Sequence, residues 1–200
     1  MSKGIIIGNG GSARVINDIL NELNLFDDLL FIEYKDISTL SKEDKKTPII
    51  LAVGANKDVQ YRKEAFKILN KMNLNLQSVI SPKSIISNKS TINLGCIIMP
   101  GVIINSGVVL KPNSFLNTGV IVEHDCEIGE SSFLATGCIL SGNVIVGNNT
   151  FIGAGAIISG GIKIGNNVTI GAGSVVIRDV KDNTLTYGTP AHKCQKNNKW

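Results

Sequence analysis

Two histidines occur in the 200 residues, His124 and His192, and their surroundings differ. His124 lies between two carboxylates, in Val122-Glu123-His124-Asp125-Cys126. A carboxylate that accepts from Nδ1 sets the imidazole tautomer and leaves Nε2 as a base near neutral pH, a device that typically contributes about 10² to 10⁴ in rate. His192 follows Thr189-Pro190-Ala191 in a polar tail and is read as standing outside the chemistry. A zinc hydratase site with three histidine ligands is disfavoured in a chain that has two. The cysteines at 96, 126, 138 and 194 form no CxxC pair, which argues against a zinc knuckle or a redox motif and for reduced thiols.

A second group of residues sits near the N-terminus. Gly8, Gly10 and Ala13 match G-x-G-x-x-G/A, and with Gly11 and Ser12 they form a turn that lets backbone amides approach a phosphate at a helix N-terminus. Glu33 and Asp36 could accept hydrogen bonds from a ribose or a base, or belong to a solvated turn. Arg62, after Gly54 and Asn56, could face a pyrophosphate, because a guanidinium matches phosphate oxygens two at a time. The other reading is an arginine on a helix surface.

The elements that carry this second group read as α/β. Residues 4–7 form an apolar strand, and Val15, Ile16, Ile19, Leu20 and Leu23 follow at helical spacing. Further strands are expected at 29–33, 49–53 and 76–80, with a helix near 59–72. About 80 residues make half a Rossmann domain, enough for a mononucleotide and too short for the two-halved dinucleotide fold.

His124 belongs to a different architecture. In steps of six from Ile80 to Val176, all seventeen positions are Ile, Leu or Val. The position four residues after each is small or β-branched almost throughout, as in Cys96, Val102, Val108, Ser114, Val120 and Cys126, and it must point into a narrow interior. Gly, Asn and Asp recur between the two positions, where the chain turns a corner. Each hexad is then one short strand and one corner, and three hexads make a triangular coil of eighteen residues whose neighbours pair as parallel strands. This is a left-handed parallel β-helix of hexapeptide repeats, of about five coils between Ile86 and Val176. Cys96, Cys126 and Cys138 take the small inward slot and are read as structural. His124 falls at a corner and should project outward, and Gly142, eighteen residues on, stacks beside it with an amide that could stabilise an oxyanion. Gly160 and Gly161 continue the edge.

The totals remove other classes. A hydrophobic share of 43% supports a buried core, and 20 basic against 16 acidic residues, for a net charge of +4, give little attraction for a polyanion, so no nucleic-acid partner is expected. With no run of 18 apolar residues and no signal-peptide pattern, the expectation is a cytoplasmic protein without membrane insertion. The expected units are 1–79, Rossmann-like, 80–180, β-helix, and 181–200, a tail.

At Asn117-Thr118-Gly119-Val120-Ile121-Val122-Glu123-His124-Asp125-Cys126 and Leu140-Ser141-Gly142-Asn143-Val144, the chain resembles the sugar acetyltransferases of the sialic acid O-acetyltransferase and bacillosamine-pathway N-acetyltransferase group. Gly8-Asn9-Gly10-Gly11, Ile80-Ser81-Pro82-Lys83-Ser84 and Gly188-Thr189-Pro190-Ala191 extend the resemblance over nearly the whole chain. It implies acetyl-CoA as donor, no metal, and a nucleotide-linked 4-amino-4,6-dideoxyhexose as acceptor, with the sugar-nucleotide on the N-terminal unit. His124 resembles the base and Asp125 the carboxylate behind it, while Glu123 and Asn117 would line the sugar pocket. Gly160 and Gly161, stacked along the same edge as Gly142, could hold the pantetheine arm of the cofactor. Ser12, Ser81 and Phe133 stand where members often carry further histidines that touch cofactor or substrate, and Phe133 is assigned to the cofactor contact on that basis. The expected product is an N-acetylated sugar for O-antigen, capsule or another glycan, made by a homotrimer with its site in the cleft between subunits. Alternatives are O-acetylation of sialic acid or another free sugar, and a sugar-nucleotide-binding module without catalysis.

Overall fold

The computed structural model describes residues 2–40, 46–55 and 59–193. Its N-terminal unit is a three-stranded parallel sheet in the order β2-β1-β3, formed by β1 (Lys3–Ile7), β2 (Asp28–Ile32) and β3 (Ile49–Leu51). Helix α1 (Gly11–Glu22) buries Ala13, Ile16, Ile19 and Leu20, the face its three- and four-residue spacing predicts. Helix α2 (Gln60–Lys71) buries Ala65, Phe66 and Leu69 together with Arg62. Both helices end just before an asparagine with positive φ, Asn24 at 50° and Asn73 at 54°, where the left-handed conformation stops further helical bonding.

The segment expected as a fourth strand of this unit is divided between two structures. Leu76 makes a single parallel bridge to Ile49. Val79–Ile80 instead pairs with Ile97–Ile98 and is the first strand of the solenoid. The β-helix therefore begins earlier than a count from Ile86 suggests, and its seventeen two-residue strands from Val79–Ile80 to Val175–Val176 make nearly six coils. Their pairing is parallel and eighteen residues apart throughout, as in Ile97, Phe115 and Phe133.

The three faces of the triangular prism differ in what they present outward. One, through Ile97, Phe115, Phe133 and Phe151, lies under the N-terminal unit, where Ile97, Phe115 and Phe133 share a core with Ile6, Ala13, Ile16 and Leu20. A second runs through Ile85, Ile103, Ile121, Ile139, Ile157 and Val175. The third, through Thr91, Val109, Glu127, Ile145 and Lys163, is mixed.

Inside, Cys96, Cys126 and Cys138 are fully buried free thiols in the inward slot. Burial pushes Cys96 up to about 11 and Cys138 up to about 12, so both are un-ionised at neutral pH. Cys194 lies outside the described residues. Residues 185–188, expected in a loose tail, form a strand on Thr169–Ile170 and turn back antiparallel through 191–193. No helix among the described residues is long and apolar enough to cross a membrane.

Candidate active site

The corner after Val122 brings a base and its supporting carboxylate together as the sequence suggests. Asp125 takes φ of 59°, and its Oδ2 lies 2.9 Å from His124 Nδ1. Both side chains stand largely in the open, with 56% and 62% of their surfaces exposed, and Nε2 faces away from the carboxylate. Glu123 is turned along the edge, accepting from Asn105 Nδ2 at 2.8 Å. One coil on, Gly142 lies so close to the imidazole that a Cβ on it would sit 2.6 Å from both His124 Cε1 and Nε2. Any larger residue there would have to displace the imidazole.

The edge then continues as bare backbone. Asn143 donates its N–H to the His124 carbonyl at 2.9 Å, and Gly161 to the Gly142 carbonyl at 2.9 Å. The N–H groups of Gly142 and Gly160 have no acceptor among the described residues. Two free amides on a glycine-lined edge, leading away from an imidazole, suit a chain-like ligand with carbonyl groups and an oxyanion at its reactive end.

The glycine turn forms a separate cleft of about 880 Å³, lined by Gly8, Asn9, Gly10, Gly11, Ser12, Glu33 and Gly54 among others. Gly8 has φ of 113°, and Gly10 caps α1 without a side-chain bond, so helix amides open on to the cleft. Glu33 accepts from Asn9 Nδ2 at 3.0 Å and pairs with Lys35 at 2.8 Å, and that ammonium holds its carboxyl below the ordinary range. Gly54 packs against Ser12, whose Oγ would be 2.7 Å from an added Cβ. Tyr34, Lys35 and Tyr61 also line the cleft and were missed in the sequence, although Tyr34 and Lys35 directly follow Glu33, which was noticed. Asp36 sits in the 3-10 turn Tyr34–Thr39 and does not line the cleft. Asn56 lies outside the described residues.

Arg62 corrects both readings offered for it. It is wholly buried, faces no phosphate site, and donates to four carbonyls: Leu51 at 2.7 Å, Val53 at 3.1 Å, and Asn113 and Gly95 at 3.2 Å each. Its guanidinium lies 5.0 Å from the Phe115 ring centroid. Burial lowers its pKa to about 9, which still leaves it charged at neutral pH. Arg62 is thus a rivet between α2, β3 and the solenoid.

Phe133 and Asn117 line another cavity, of about 360 Å³, which meets the glycine cleft at Ala55. Phe133 is almost fully buried, stacked between Phe115 at 4.5 Å and Phe151 at 5.7 Å between centroids. This cavity is on the face under the N-terminal unit. Asn117 and Glu123, expected together around a sugar, therefore occupy successive corners of one chain, with strand Ile121–Val122 between them. Ser81 is buried and its Oγ accepts from the Lys83 N–H.

Comparison with known proteins extends this picture. Residues 143–178 match the bacterial transferase hexapeptide (six repeats) family. The acetyltransferase domain of PglB from Neisseria gonorrhoeae, solved with acetyl coenzyme A, is 27% identical, with 96% of this chain and 98% of that one covered at a TM-score of 0.87. PerB from Caulobacter crescentus, solved with CoA and GDP-perosamine, is also 27% identical over 98% of each chain, at a TM-score of 0.88. The chain is a hexapeptide-repeat acetyltransferase. WeeI from Acinetobacter baumannii, 21% identical over 96% of this chain and all of its own at a TM-score of 0.84, shares the acetyltransferase's fold. No curated protein matches its sequence.

Proposed function

We propose that this acetyltransferase moves the acetyl group of acetyl-CoA to the amine of a nucleotide-linked 4-amino-4,6-dideoxy sugar, with His124 as general base. The observation that carries the reading is the His124–Asp125 pair with Gly142 stacked on its ring. Nε2 takes a proton from the sugar ammonium or from the amine as it attacks, the amine nitrogen bonds to the thioester carbonyl carbon, and the C–S bond breaks to release the thiol. Asp125 favours the imidazolium formed, and the Gly142 N–H is available to the oxyanion. The cleft at Gly8–Ser12, with helix amides at its rim, suits a nucleotide diphosphate and favours a nucleotide-linked acceptor over a free sugar. PerB's complex with GDP-perosamine supports the same substrate class.

A second copy completes such a site. The nucleotide cleft and the His124 edge lie on opposite sides of one prism, because His124 is at the corner remote from the face that carries the N-terminal unit. Between the Asn117 and His124 corners runs the face of Ile85, Ile103, Ile121, Ile139, Ile157 and Val175, with Ile85 68% and Ile157 41% exposed. A continuous apolar face bordered by both corners favours a homotrimer in which the His124 edge of one subunit meets the nucleotide side of the next.

The test is thiol release from acetyl-CoA with UDP-, dTDP- and GDP-linked 4-amino sugars and free sialic acid. Turnover with one nucleotide sugar and its loss in His124→Ala are expected. Turnover with sialic acid alone would move the reading to O-acetylation, and undiminished activity of His124→Ala would remove the base.

A further inference from the structure

The chain contains one Asn-Gly pair, Asn9–Gly10, and the fold sets it in the wall of the glycine cleft. The side-chain amide of an asparagine can be attacked by the backbone nitrogen that follows it, because the two close into a five-membered ring. Two things oppose the attack: the next residue's Cβ crowds the nitrogen, and its N–H is committed to a hydrogen bond. Corner asparagines of the solenoid are guarded in both ways. Asn143, Asn149 and Asn167 precede Val144, Thr150 and Val168, whose N–H groups donate to Cys126 Sγ at 3.4 Å, Ser132 Oγ at 3.0 Å and Thr150 Oγ1 at 3.1 Å. Asn9 has neither guard. The Gly10 N–H has no acceptor among the described residues, and beyond its chain neighbours no atom lies within 4 Å of where a Cβ would stand. Both residues are exposed. Gly10 is also the N-cap of α1, where the helix field favours the anion that its nitrogen becomes on losing a proton.

We infer that Asn9 is a site of spontaneous deamidation that closes the cleft to a nucleotide diphosphate, and that a bound diphosphate holds the reaction in check. The Gly10 nitrogen gives its proton to water and bonds to Asn9 Cγ, the Cγ–Nδ2 bond breaks, and the leaving nitrogen takes a proton from water to depart as ammonia. A second water opens the resulting succinimide at either carbonyl, to aspartate or to isoaspartate. Asn9 Nδ2 donates to Glu33 Oε1 at 3.0 Å, so either product sets a carboxylate where that donor was, against one that Lys35 already pairs at 2.8 Å. The new charge faces the amides that would meet phosphate, and isoaspartate also lengthens the backbone just before Gly10 and Gly11. The protective half of the inference rests on the reading of the cleft as a nucleotide site, in which a phosphate oxygen supplies the acceptor that the Gly10 N–H lacks.

Ageing the full chain in mildly alkaline buffer, alone and with UDP, dTDP or GDP, tests this. Trypsin releases residues 4–14, in which Asn9 is the only side-chain amide, so mass spectrometry and isoaspartyl methylation report its fate. That peptide should gain the mass of an acid replacing an amide well before the peptides that carry Asn143, Asn149 and Asn167. Gly10→Ala, whose φ of −79° suits alanine, should slow the gain several-fold. One nucleotide should slow it in wild type, and Asn9→Asp should raise the KM for the nucleotide sugar several-fold with kcat kept. An Asn9 that ages no faster than the corner asparagines, or that is indifferent to Gly10→Ala, would overturn the site. A wild-type KM in Asn9→Asp would overturn its effect on the cleft. Where calorimetry shows a nucleotide bound and ageing is not slowed, the protection falls; where none binds, the nucleotide reading of the cleft falls and the modification stands.

Discussion

Gly142 and His124 share one van der Waals space, since a Cβ on Gly142 would lie 2.6 Å from Nε2 of the imidazole. Gly142→Ala must therefore push the ring aside. An error of about 1 Å at a reacting group costs on the order of 10² in rate, and a loss of that size in kcat is expected with an unchanged thermal midpoint. Retention of the wild-type rate would show that the ring position does not matter.

Replacement of the base and of its partner should differ in degree. His124→Ala should lose about 10² to 10⁴ in kcat, the usual contribution of a positioned base. Asp125→Asn keeps a residue that tolerates the φ of 59° and removes only the charge, so its loss should be smaller. Steady-state rates at saturating acetyl-CoA separate the two.

Arg62→Met keeps much of the volume but leaves the carbonyls of Leu51, Val53, Gly95 and Asn113 without their donor. A loss of at least about 3 kcal/mol is expected from urea unfolding, given the cost of stranding several buried acceptors. Activity per folded molecule should largely survive, because the guanidinium is remote from the His124 edge and meets the wall of the glycine cleft only through the Val53 carbonyl.

The face of Ile103, Ile121 and Ile139 gives a test of assembly. Ile121→Lys and Ile139→Lys each place a charge in the middle of it. Light scattering should report monomers, circular dichroism an intact β-helix, and the acetyl-transfer assay a nearly inactive protein. An active monomer would refute a site shared between copies.

Alkaline stability should depend on Cys138. Its folded-state pKa of about 12 lies above the ordinary 9, so the unfolded chain loses this proton first as pH rises. Its contribution is therefore intact below pH 9 and is lost progressively between about 9 and 12. Cys138→Ala cannot titrate, and the stability difference between wild type and this variant should move against wild type over that window. A difference that stays constant from pH 7 to 11 would contradict the assignment.

The β-helix was legible because its signal repeats: a period of six in Ile, Leu and Val needs no knowledge of what lies across the core. His124 and Gly142 could be placed for the same reason, since the stacking distance is a count of residues. Arg62 was not legible, because its fate depends on Asn113 and Gly95 in another unit, and its own surroundings in sequence look like any exposed helix. The divided fates of Leu76 and Val79 were hidden similarly, as both read as one apolar strand and differ only in which sheet reaches them. The last corner, where Ile164 bridges to Val180 sixteen residues on instead of eighteen, leaves no trace in the apolar period, which already ends at Val176.

The Phe115, Phe133 and Phe151 stack also bears on how such a protein can change over generations. Stripped of the N-terminal unit, the solenoid would carry a ladder of aromatic rings beside Ile97 into water, a strip prone to self-association. A transplanted β-helix would have to bring its partner or acquire polar residues at each of these rungs. Recombination that trades the nucleotide unit alone is thereby penalised, and change of acceptor is channelled into point substitutions around the existing cleft.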